Sequence, residues 1–237
     1  MGLKKVAVAI GVALALAWTL IPLYWLLNMT LMFEREIYLV PPNFWPHEPT
    51  SAWFRRVLGM PAAVGGLTEA RASGHAPLIA LGIQNAIIIA IPVALFTILI
   101  GSVVGYAFGR FEFRHKNTLL VTLLMTRAVP PITTLIPFFF FFFKIGLTGT
   151  VYGLMIVYLS ITLPLVTWVL MGYFATLPLE TERAARIDGC SRLGALRKVV
   201  IPMAAPGIAA CGILAFLIAW NEFIFSYVLA AGSPATT

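Results

Sequence analysis

The stretch Leu179 to Pro202, "LETERAARIDGCSRLGALRKVVIP", sets Glu180, Glu182, Arg183, Arg186, Asp188, Arg192, Arg197 and Lys198 between two long apolar runs. Charges at this density belong in water, since each one at the centre of a bilayer costs about 2.5–3.5 kcal/mol or more. The segment is therefore an aqueous connection between membrane spans. Its own residues specify a shape. Pro178 suits the first turn of a helix, Glu180 and Glu182 fall near the positive N-terminal end, and Gly189 suits the left-handed residue that stops it. Ser191 is then placed to cap a second short helix, with Leu193, Leu196 and Val200 along one face. The expectation is a helix, a turn and a helix. Ala184 and Ala185 have almost no side chain, so another protein's surface can approach the backbone closely there. A solvated interhelical loop is the plainer reading of the same residues.

The rest of the chain supplies the membrane. Of 237 residues, 60% are hydrophobic and 11% are charged, against about a quarter charged in soluble domains. Several apolar runs exceed the roughly 20 residues that cross about 30 Å of hydrocarbon as a helix. The fold class is thus all-α, a polytopic transmembrane bundle, with helices expected near Val6 to Asn28, Leu78 to Gly109, Thr118 to Phe143, Val151 to Ala175 and Val199 to Ala231. Residues 1–77 comprise the first span and an external loop; residues 78–237 form the core of spans, with the charged connection at about 177–202. The first apolar run continues past the small residues Ala13, Ala15 and Ala17 to Leu27, which reads as an uncleaved helix rather than a signal peptide. The external loop is broken by Pro41, Pro42, Pro46 and Pro49, and "SAWFRRVL" at 51–58 reads as a short helix at the membrane surface.

The net charge of +7 sorts by topology. With the N-terminus inside, Lys4, Lys5, Arg110, Arg114, Lys116, Arg183, Arg186, Arg192, Arg197 and Lys198 face the cytoplasm, whereas Arg35, Arg55, Arg56, Arg71 and Lys144 lie outside. That is the positive-inside asymmetry. No basic face with interleaved aromatics points to nucleic acid.

Catalytic patterns are missing from the sequence. No G-x-x-x-x-G-K-[ST] occurs to cradle phosphates, and the nearest approach to a nucleophile elbow, "GCSRL" at 189–193, ends on leucine. His47, His75 and His115 stand alone in aqueous loops, and Cys190 and Cys211 have no metal-ligand spacing. No catalytic or metal-ligating residue is assigned. Two ionisable residues do lie within apolar runs. Arg127, in "LLMTRAVPP", is about ten residues and hence roughly 15 Å from the cytoplasmic end of its span. Glu222 sits beside Asn221 in "AWNEFIF". Either Arg127 and Glu222 contact each other, or Arg127, Asn221 and Glu222 line a polar pathway for a hydrogen-bonding substrate; the two readings are compatible. Phe138 to Phe143 cover every face of a helix and mark burial in lipid or protein. Pro92, Gly101, Gly105, Pro130, Pro131, Pro137, Pro164 and Gly212 punctuate the spans and suit bent helices.

The stretch "ETERAARIDGCSRLGALRKVVIPMAAPG" resembles the EAA loop of ABC-transporter permeases, with Ala184, Ala185, Asp188, Gly189, Pro202 and Pro206 matching in order and spacing. The glutamate that directly precedes the two alanines in that family is Arg183 here, with Glu182 one place earlier. The wider chain is similar to the later permease subunit of maltose-type carbohydrate uptake systems, through "PPNFWPHEPT", Asn85, "GYAFGRFEFRHKN", "TRAVPPITTLIPFFFFFFKIGLTGT" and "AWNEFIFSYVL". The resemblance implies an importer permease of the bacterial inner membrane that is not itself an enzyme. It implies a pore shared with a second permease, and a solute-binding protein that delivers sugar outside. It also implies a cytoplasmic ATPase dimer coupled through Glu180, Glu182, Ala184, Ala185, Asp188 and Gly189. ATP and Mg would belong to that ATPase, with no cofactor in this chain. Permeases of this type continue past "LAAGSPATT" into one more span, so a sixth helix is expected beyond the five. A permease for an amino acid, peptide or phosphate is the alternative; a channel independent of ATPase, or an intramembrane enzyme, stands further back.

Overall fold

A computed structural model describes residues 2–58, 60, 76–231 and 233, and contains no strand among them. It divides into two units, Met1–Leu81 and Gly82–Thr237. Arg71 and His75 lie outside the described residues.

The first unit is built on α1 (Gly2–Thr30), an alanine- and leucine-rich helix of 29 residues that extends about 44 Å. Its last turns are roofed by the proline-rich loop. Asn28 Nδ2 donates to the Phe44 carbonyl at 3.1 Å, Tyr24 donates to the same oxygen, and the Trp25 ring meets Phe44 edge-on. Two short helices follow, α2 (Glu34–Ile37) and α3 (Ala52–Val57). The second is the one expected from "SAWFRRVL", and its Trp53 Nε1 donates to Met32 O at 2.9 Å.

The second unit contains most of α4 (Ala76–Arg110), then α5 (Lys116–Met125), α6 (Pro131–Lys144) and α7 (Val151–Thr176). α8 (Leu179–Ile187) leads by way of α9 (Arg192–Ala195), a π-helical turn at Leu196–Val200 and α10 (Ile201–Met203) into α11 (Ala205–Trp220) and α12 (Ile224–Leu229). α7 is the centre. Its Leu154, Val157 and Tyr158 join Ile89, Val93, Phe142 and Phe225 in one core, while its Val166, Leu170 and Phe174 join Leu196, Val200, Cys211 and Ala215 in another.

Close approach of α4 and α7 depends on Gly101, Gly105 and Gly109, spaced four apart on one face. A Cβ on Gly105 would lie 3.1 Å from Thr167 O, and one on Gly109 would lie 2.8 Å from Met171 O. Lipid offers no hydrophobic drive between helices, so such backbone contact and interhelical hydrogen bonds carry the association. One such bond is buried here. Thr162 Oγ1 donates to Tyr158 O at 2.9 Å, which leaves Thr97 Oγ1 as the donor across 2.7 Å to Thr162.

Two of the five expected helices, Thr118 to Phe143 and Val199 to Ala231, are interrupted rather than continuous. Among the described residues three helices, α1, α4 and α7, are long and apolar enough to cross a membrane alone, and a fourth span arises if the pair Arg192–Met203 and Ala205–Trp220, bent by 77°, counts as one. The run Thr118 to Phe143 divides because Pro130 precedes Pro131: a residue before proline is pushed out of the helical region, and Pro130 has ψ 133°. The run Val199 to Ala231 divides at Ala204, ahead of Pro206 in the first turn of α11, and again at 221–223. Of the phenylalanine run, Phe142 is buried between Phe138 and neighbouring helices, while Phe140, Phe141 and Phe143 are exposed to the surroundings.

Candidate functional site

The charged segment folds as a helix, a turn and a helix. Leu177, which precedes Pro178, is extended at φ −71°, ψ 145°, as a residue before proline prefers. Pro178 itself is the N-cap of α8 rather than a member of its first turn, which holds Glu180 and Glu182. At the other end Gly189 has φ +92°, a conformation glycine adopts without a Cβ clash. The chain then reverses, with Asp188 N donating to Ala184 O at 2.9 Å and Cys190 N to Ala185 O at 3.0 Å. Ser191 Oγ accepts from Gly194 N at 3.1 Å and starts α9. The expected apolar face is partly corrected: Leu196 and Val200 are buried, but Leu193 is 72% exposed. Leu193 lies in the first turn of α9, and the buried side begins only at Ala195, where the π-helical turn resets the register.

α8 has two unlike faces. Ala185 and Glu182 point into the protein, whereas Arg183, Ala184 and Asp188 are exposed and Ile187 is 86% exposed. Of the two alanines, Ala184 alone offers bare backbone to an approaching surface.

Glu182 has partners that the sequence reading missed. Tyr106 donates to its Oε1 at 2.5 Å, and Arg110 Nε lies 3.6 Å from its Oε2, with both charged side chains over nine-tenths buried. Arg110 Nη2 also donates to the Leu177 carbonyl at 3.0 Å, where α7 ends. Tyr106 and Arg110 stand four apart on α4 and so share a face, but nothing in that spacing points to Glu182 rather than to Glu112, Glu180 or Asp188.

The second constellation is formed by the helix breaks. Arg127 sits in the non-helical link between α5 and α6, not within a helix, and its Nη1 donates to Ile161 O at 2.9 Å. Ile161 precedes Pro164, whose missing N–H and bulky ring loosen the hydrogen-bond ladder of α7 at that point. Glu222 lies in the link between α11 and α12. Its carboxylate accepts from Phe225 N at 3.1 Å and Ser226 N at 3.4 Å, where the amides of a helix N-terminus favour an anion. The Arg127 to Glu222 contact is therefore corrected: the ion pairs among the described residues are Arg35–Glu48, Arg110–Glu182 and Lys116–Glu112. Each of the two charges meets main-chain groups instead, Arg127 on the proline-containing α7 and Glu222 at the start of α12. Both breaks nonetheless reach the same turn of α7. Tyr158 OH donates to Glu222 O at 3.4 Å, and Tyr158 and Ile161 are one turn apart on α7. Asn221 Nδ2 donates to Leu217 O at 2.7 Å, and Arg127 and Asn221 are both exposed.

Residues 97–237 match the family described as the binding-protein-dependent transport system inner membrane component. The chain is 32% identical over 217 residues to the sulfoquinovosyl glycerol transport system permease protein SmoH of Agrobacterium fabrum, covering 92% of this chain and 70% of that one. It is 31% identical over 235 residues to the trehalose/maltose transport system permease protein MalG of Thermococcus litoralis, covering 99% and 79%. In three dimensions it is similar to a chain of a bacterial ABC transporter involved in the import of the acidic polysaccharide alginate, with TM-score 0.74 and 21% identity over 98% of this chain and 76% of that one. The last likeness bears on fold alone.

Proposed function

This chain belongs to the family of binding-protein-dependent transport system inner membrane components, and from that premise we propose that it is a permease subunit for ATP-driven import of a carbohydrate. A second permease completes the pathway, a solute-binding protein delivers the sugar, and α8 docks on a cytoplasmic ATPase. The observation that carries this reading is the two-faced α8, held to the protein on the side of Glu182 and Ala185 and bare on the side of Ala184 and Ile187. An aqueous element of that kind, set between membrane helices, suits the transfer of motion from a soluble partner.

Closure of the ATPase pair displaces α8 and, through the π-helical turn and the 77° bend, tilts α11. Rigid elements moving about a few hinge residues open the pathway alternately to either side. α5 and α6 act together as one interrupted span. Polar groups in membrane transport sites gather where helices are broken, and here Arg127 and Asn221 present donors to the hydroxyls of a sugar. Glu222 holds α12 beside them. The relatives named for trehalose, maltose and sulfoquinovosyl glycerol transport support a carbohydrate over an amino acid, a peptide or phosphate.

Uptake by the assembled transporter from a panel of labelled solutes tests the reading. Sugars are taken up and the other classes are not, and Arg127→Met lowers sugar uptake at least tenfold, a loss of about 1.4 kcal/mol in binding or barrier, while the subunits still assemble. Uptake confined to amino acids, peptides or phosphate contradicts the substrate class; full sugar uptake by Arg127→Met removes that residue from the pathway.

A further inference from the structure

Glu182 belongs to a segment whose other charged side chains, Glu180, Arg183, Arg186 and Asp188, are all exposed. It alone turns inward, and it does so against a cation and a phenol from the end of a different helix. Tyr106 is itself fixed, its ring set edge-on to Phe111 at 5.4 Å and to Phe174 of α7 at 6.0 Å. The second arm of the segment reaches the same place: the Arg192 guanidinium lies over the Phe111 ring, 5.2 Å from its centroid. Arg110 meanwhile holds the Leu177 carbonyl at the exit of α7. Five contacts from α7 and its end, α8 and α9 thus converge on three residues, Tyr106, Arg110 and Phe111, where α4 ends. A buried ion pair is a weak source of stability, because desolvation offsets most of its attraction, and fixing one arrangement is its best-attested use. The Arg110 Nε and Glu182 Oε2 atoms make no hydrogen bond of their own, so the pair acts by charge and position.

We propose that Tyr106 and Arg110 are positioning residues that pin α8 through Glu182, so that displacement of α8 is delivered directly to α4 as well as to α7 and α11. This rests on the reading of α8 as the element that docks on the ATPase. The glycine contacts of α4 with α7 then make the two helices move as one body. A docking helix joined to the membrane helices only by its own chain ends would swivel about Pro178 and Gly189; the pin removes that freedom.

The test uses the full transporter in inside-out membrane vesicles, with Tyr106→Phe, Arg110→Met and Arg110→Lys. Tyr106→Phe keeps the ring contacts, and Arg114 and Lys116 remain to orient the chain if Arg110 is changed. Tryptic cleavage after Arg186 reports how firmly α8 is held, and the ATP hydrolysed per solute transported reports transmission. Tyr106→Phe and Arg110→Met are expected to be cleaved several-fold faster and to spend several-fold more ATP per solute, with Arg110→Lys returning both values towards those of the unaltered protein. Unchanged cleavage in both variants overturns the pin. Faster cleavage with an unchanged ATP ratio overturns delivery to α4. If no ATPase subunit accompanies even the unaltered chain, the coupling reading fails with the proposal, and that failure is recognised because it precedes any substitution.

Discussion

At Gly109, one missing methyl group sets how closely two helices pass. A Cβ there would stand 2.8 Å from the Met171 carbonyl, a main-chain atom that cannot swing aside. Gly109→Ala therefore forces α4 and α7 apart and is expected to cost about 1–3 kcal/mol, the usual range for overpacking. Gly172→Ala is the control, since nothing lies within 4 Å of that position. Thermal unfolding of the detergent-solubilised protein should show a lower midpoint for the first and no decrease for the second; equal midpoints would mean that the glycine contacts do not set the packing. Residues whose roles are local were legible in the sequence. Gly189 stops α8 and Ser191 caps α9 because each acts on backbone within three residues of itself. Glu182 and Arg127 were not legible in the same way, because their partners are decided by which helices meet. Arg127 and Glu222 each bond to main-chain groups, and a main-chain group carries no mark in the sequence.

Among the elements, counting apolar residues located the membrane segments but overstated their continuity. Length and hydropathy sense the whole run, whereas Pro130, Pro131 and Pro206 act on one turn each, and the chain leaves the helix where they stand. The helix–turn–helix of α8 and α9 was read from its caps and holds its shape by them. Its turn gives a direct test of what the element is for. Gly189 has open space around it and φ +92°, so in Gly189→Trp the side chain projects from the exposed turn, at a backbone strain of about 1–2 kcal/mol. Membrane insertion and amount of protein are expected to stay normal, while sugar uptake falls at least tenfold and ATP hydrolysis continues. Uptake and hydrolysis that remain coupled would show that the turn does not meet a partner.

In the whole molecule, the positive-inside distribution of lysine and arginine puts α8 and the Tyr106–Arg110–Glu182 cluster on the cytoplasmic side. The paired breaks lie deeper, against the turn of α7 that carries Tyr158 and Ile161. Under the proposed function a force applied at α8 enters at one end of the bundle and is used near its middle, with α4, α7 and α11 as the connecting bodies. No phosphate-binding loop occurs in the sequence, and under the proposed function the force is supplied by the ATPase subunit. Crosslinking from Ala184→Cys, with Cys190 and Cys211 replaced by serine, in membranes that contain every subunit tests this most directly. The expected product joins this chain to an ATPase subunit, in a yield that changes when ATP is added. Crosslinks that reach only lipid or this chain's own residues, with the ATPase present, would contradict it.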